Sequence, residues 1–76
     1  MAKNIQQQFG QRLRALRTEK ALSQEKLALL AELDRTYISG VERGQRNISL
    51  VNLQRIALAL NIPLDKLLNF DEQRDA

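Results

Sequence analysis

The chain has 76 residues, with twelve Lys and Arg against nine Asp and Glu, a net charge of +3, and neither cysteine nor histidine. That length holds one domain, and an excess of +3 is by itself weak evidence for a polyanionic partner. Without Cys there is no disulfide, thiolate nucleophile or thiolate zinc site, and without His the usual general base and commonest metal ligand are missing.

The apolar spacing predicts helices joined by short turns. A first helix spans Ile5 to Lys20, with Ile5, Phe9, Leu13 and Leu16 as its inward stripe. Arg12, Arg14, Arg17, Glu19 and Lys20 fall mainly outside that stripe. Ser23 is the N-cap of a second helix, Gln24 to Ala31, and Leu22 can staple back onto Leu27. Leu27, Ala28 and Ala31 face inward, and Leu29 is left exposed. Asp34 caps a third helix, Arg35 to Arg43, which Gly44 ends in the left-handed conformation. Ser49 caps a fourth helix, Leu50 to Leu60, with an apolar stripe of Leu50, Leu53, Ile56, Ala57 and Leu60. Pro63 opens a shorter fifth helix through Phe70, carrying Leu64, Leu67 and Leu68. A frayed polar tail follows from Asp71 to Ala76.

The charge divides along the chain. Lys3 to Arg46 holds nine basic and five acidic residues, and Asn47 to Ala76 holds three and four. This suggests a working face in the first half and a packing or self-association region in the second, although a plain solvated surface gives the same imbalance. No run approaches the roughly 18 apolar residues of a membrane span. Met1 to Asn4 leads into glutamines rather than an apolar leader, so a cytoplasmic protein is expected.

Two short helices separated by Glu32-Leu33-Asp34 form a helix-turn-helix pattern. A helix entering the major groove needs an apolar face toward its own domain and hydrogen-bonding side chains on the other. Ile38 and Val41 supply the first, and Arg35, Thr36, Ser39 and Gly40 supply the second. Arg35 can bond a guanine with two parallel hydrogen bonds, and Gly40 permits close approach of a base or the sugar-phosphate backbone.

The stretch from Leu22 to Ala28, then Asp34-Arg35-Thr36-Tyr37-Ile38-Ser39-Gly40-Val41-Glu42-Arg43-Gly44 and Arg46 to Leu50, resembles the lambda-repressor/Cro-like (Xre-type) helix-turn-helix family. Within it, Arg-Thr-Tyr-Ile-Ser-Gly followed by Glu-Arg-Gly and Arg-Asn is most similar to restriction–modification controller proteins. The resemblance implies an all-α, compact five-helix domain over 1–76, with the helix-turn-helix at about 23–44 and a dimerisation region at about 61–70. It implies a homodimeric transcriptional regulator on a palindromic double-stranded DNA operator, blocking or recruiting RNA polymerase in the nucleoid. Arg35, Thr36, Ser39 and Gly40 then read bases, and Ser23, Gln24, Tyr37, Arg43, Arg46 and Asn47 meet the DNA backbone. Gln24 also braces the recognition helix. Two of these positions have a second reading: Tyr37 as half-buried packing with a bonded hydroxyl, and Arg46 as a solvated loop charge.

The resemblance also pairs Arg17 with Glu42 in a largely buried structural ion pair. It places Glu32 where the family usually has Gly, which in a left-handed conformation costs on the order of 1 kcal/mol. Ile62, Leu64, Leu68 and Phe70 are the dimer-seam candidates; the alternative is that they cover the monomer core. Asp71, Glu72 and Asp75 are read as a solvated tail rather than a cation site. No enzyme, metal, cofactor or small-molecule ligand is expected. The competing readings are a phage-type repressor, or an antitoxin-like protein-interaction module that kept the fold.

Overall fold

The computed structural model describes residues 4–73. Among them the architecture is all-α: α1 (Ile5–Glu19), α2 (Gln24–Ala31), α3 (Arg35–Glu42), α4 (Leu50–Leu60), α5 (Leu64–Leu67) and a 3-10 turn at Phe70–Gln73. No helix there is long and apolar enough to cross a membrane.

Side-chain oxygens start three of the helices. Ser23 accepts from the Lys26 N–H and Ser49 from the Asn52 N–H. Asn4 accepts from the Gln7 N–H while the Gln7 side chain accepts from Asn4 in return, a reciprocal capping box. Asp34 departs from this pattern. It has the extended cap backbone, but its exposed carboxylate accepts nothing from α3.

α1, α2, α3 and α4 end alike. A left-handed residue follows each, Ala21, Glu32, Gly44 and Asn61 in turn. The next N–H reaches back five residues: Leu22 to Arg17, Leu33 to Ala28, Gln45 to Gly40 and Ile62 to Ala57. This is the Schellman arrangement, which satisfies carbonyls a helix end would otherwise strand. After α1, α2 and α4 the residue beyond the left-handed position is apolar (Leu22, Leu33, Ile62) and packs against the core. After α3 it is the exposed Gln45.

The core joins Phe9, Leu13 and Leu16 of α1 to Leu27, Ala28 and Ala31 of α2. Ile38 and Val41 of α3, the inner face of α4, and Leu67 complete it. Gly10 brings α1 directly onto the end of α3: a Cβ there would stand 2.5 Å from the carbonyl oxygens of Val41 and Glu42.

Several sequence expectations need correction. Ile5 and Leu50 belong to predicted inward stripes but are 63% and 81% exposed. Each opens its helix, one turn ahead of the residues that reach the core. Arg12, expected outside the stripe, is 2% exposed. Its guanidinium donates to the Lys66 carbonyl from Nε at 3.2 Å and Nη2 at 2.7 Å. It thus holds the end of α5, a single turn too short to persist alone. Pro63 is the N-cap of α5 rather than its first helical residue, and α5 stops at Leu67 instead of continuing to Phe70. The first and third helices end one residue earlier than predicted, at Glu19 and Glu42. The expected tail begins as a 3-10 turn, and its remaining part, 74–76, lies outside the described residues together with Glu72's side chain and Asp75.

Candidate nucleic-acid interface

The two helices of the motif are joined by a turn whose left-handed residue is Glu32, at φ 59° and ψ 44°. The helix pair is fixed from behind by one carboxylate. Arg17 Nε donates to Glu42 Oε2 at 2.6 Å and Arg17 Nη2 to Glu42 Oε1 at 3.0 Å. Gln24 Nε2 donates to the same Oε1 at 3.0 Å, and Arg17 Nη1 donates to the Leu22 carbonyl at 2.7 Å. The side chains of Arg17 and Glu42 are only 11% and 3% exposed. One carboxylate therefore joins α1, the first residue of α2 and the last of α3. The hydrogen bond from Glu42, and then its charge, raise the Arg17 pKa above the ordinary guanidinium value against the opposing effect of burial. A pKa raised on folding contributes stability that is fully present below the guanidinium's unfolded value.

With its inner face so held, α3 presents Arg35 and Thr36 to solvent at its first turn. Neither hydrogen-bonds or ion-pairs with another described side chain. Ser39, one turn on, is half-buried and accepts from Arg43 Nη1; Arg43 also reaches Gln45. Tyr37 is half-buried and packs against the core. Its hydroxyl donates to the Asn47 carbonyl at 3.2 Å and accepts from Asn52 Nδ2 at 3.1 Å. The Arg46 guanidinium carbon lies 5.2 Å from the Tyr37 ring centroid, a cation–π arrangement. The Asn47 side chain accepts from Gln6 of α1. Thus the loop after α3 is folded back over its outer side.

The profile of the Helix-turn-helix family matches residues 13–67. Control protein C.BamHI of Bacillus amyloliquefaciens is 49% identical over 71 residues, covering 92% of this chain and 88% of its own. Control protein C.MunI of a Mycoplasma species is 51% identical over 65 residues, covering 84% and 88%. The chain belongs to the helix-turn-helix family, among the restriction–modification controllers. The crystal structure of one such controller, C.AhdI from Aeromonas hydrophila, superposes with a TM-score of 0.80 at 61% identity, covering 82% of this chain and 94% of that one. The chain is thus a transcriptional regulator of the controller type.

Within this controller fold, the remaining candidate positions fall as follows. Ser23 and Gln24 stand at the start of α2, with the Ser23 hydroxyl engaged in the cap and the Gln24 amide on Glu42. Arg43, Arg46 and Asn47 are exposed beyond the end of α3. Gly40, expected on the open face, is buried under the stem of Arg46. The helix spacing shows which way position 40 points, but not that a residue six places on folds back to cover it. Leu64 and Leu68 are exposed, whereas Ile62 and Phe70 are half-buried against the core. Leu68, Phe70 and Ile5 line one open apolar groove with Phe9, Ile48 and Leu53. Ile5 is thus an exposed apolar neighbour that the periodicity assigned to the core.

Proposed function

We propose that the chain binds duplex DNA as a homodimer, with α3 of each protomer in the major groove of a palindromic operator controlling restriction–modification genes. The observation that carries this reading is the two-sidedness of α3. Its inner side is clamped through Glu42, and its first turn offers Arg35 and Thr36 without a hydrogen-bond or ion-pair partner among the described residues. A side chain free in the protein and held on a fixed helix is ready for base edges, with Arg35 suited to guanine. Arg43, Arg46 and Asn47 stand where phosphates flank such a helix, and Gln24 and Ser23 lie at the neighbouring helix start. Leu64, Leu68 and Ile5 supply apolar surface for a twofold seam, which would set two α3 helices about 34 Å apart. A dimer also answers a shortage of area, since one small unit buries little DNA. The DNA-bound dimer would act by excluding or recruiting RNA polymerase.

The test is selection of bound duplexes from a random library, followed by competition titration and sedimentation of the complex. The expected outcome is an enriched inverted repeat bound by two chains. Binding without enrichment of any sequence, or a single chain per enriched site, would contradict the reading.

A further inference from the structure

The seat of Arg46 is specific. A Cβ built on Gly40 would lie 2.6 Å from Arg46 Cγ, 3.6 Å from its Cδ and 3.7 Å from its Cβ. The arginine stem therefore rests on bare α3 backbone. Gly40 has ordinary helical geometry, being absent from the positive-φ residues, so a turn does not demand glycine there. At the far end of the stem, the guanidinium lies over Tyr37, three residues earlier on the same face. Tyr37 is itself fixed by the Asn47 carbonyl and Asn52. Stem and head are thus both held, one by an absent side chain and the other by a ring.

We propose that Gly40 is a positioning residue: it does not approach DNA itself but provides the gap that lays Arg46 along α3 and sets its guanidinium for a phosphate. This rests on the DNA-binding reading above. An alanine methyl must push the Arg46 stem outward, because 2.6 Å is below any real Cβ contact. The three atoms nearest that methyl all belong to the flexible Arg46 side chain, so the fold can absorb it. Alanine also favours a helix interior over glycine.

The experiment is a double-mutant cycle of Gly40→Ala and Arg46→Ala. Affinity is measured on the duplex enriched by selection and on a scrambled duplex of equal composition, over a range of salt concentrations. Gly40→Ala is expected to melt at the wild-type temperature or higher, yet to bind both duplexes several-fold more weakly. Its salt slope should fall by about one, as for the loss of one phosphate contact. In the Arg46→Ala background the same substitution should have no further effect. If Gly40→Ala binds normally, or if its loss persists undiminished without Arg46, the positioning role is overturned; the second result means that the methyl itself obstructs DNA. If Arg46→Ala binds normally, the proposal falls together with the Arg46 contact, while α3 reading by Arg35 can still stand. Absence of wild-type binding to either duplex overturns both.

Discussion

Arginines on α1 and those around α3 are the same side chain put to opposite use. Arg12 and Arg17 turn inward, one onto the end of α5 and the other onto Glu42. Arg35, Arg43 and Arg46 stay exposed. The first pair joins parts of the chain distant in sequence, where each guanidinium meets fixed oxygens and becomes part of the scaffold. In the second set Arg46 is held at its stem and ring face, and Arg43 bonds only to the neighbouring Ser39 and Gln45 side chains. Arg35 has no hydrogen-bond or ion-pair partner among the described residues, so these guanidinium groups stay at the surface. Net charge therefore says little about how much of it a partner can meet.

Breaking the inward set should do the most harm. Glu42→Ala strands a buried guanidinium and should lose about 3–5 kcal/mol in urea unfolding. A loss below about 1 kcal/mol would mark the pair as a surface one. Arg12→Met keeps the apolar stem but removes the bonds to the Lys66 carbonyl. It should lose about 1.5–3 kcal/mol, with the α5 amides losing hydrogen-exchange protection first. The outward set should show the reverse pattern. Arg35→Ala should leave the melting temperature alone and cost about 1–3 kcal/mol of discrimination between selected and scrambled duplex. Arg43→Ala should weaken both duplexes equally, and equal losses for the two variants on both DNAs would erase the distinction. The smallest effect concerns the turn that carries both helices of the motif. Glu32→Gly relieves a left-handed side chain and should add up to about 1 kcal/mol, read as a melting temperature a few degrees higher.

The parts of this structure legible in the sequence are those set locally. Ser23, Ser49 and Gly44 mark helix ends because cap and turn chemistry lies within a few residues. Ile38 and Val41 mark the inner face of α3 for the same reason. The Asn4–Gln7 box was equally local, and its spacing was there to be read. Arg17 with Glu42, 25 residues apart, came through family resemblance and not through spacing. Arg12 had no such signal, because its partner is a backbone carbonyl 54 residues away and any arginine could reach one. Periodicity put Ile5 and Leu50 in inward stripes, but it does not show that the first residue of each helix stands a turn short of the core and is exposed. Beyond Pro63 the helical segment is one turn, too short for a period to define its end.

The junction at Glu42 has a consequence for timing. α2 and α3 cannot pivot against each other without stripping donors from a nearly dry carboxylate. Their relative order is therefore established when the chain folds. For a reader of duplex DNA, this removes a rearrangement from the association step and leaves its speed to encounter and charge. The freedom that remains to be lost on contact lies in a few side chains, chiefly Arg35.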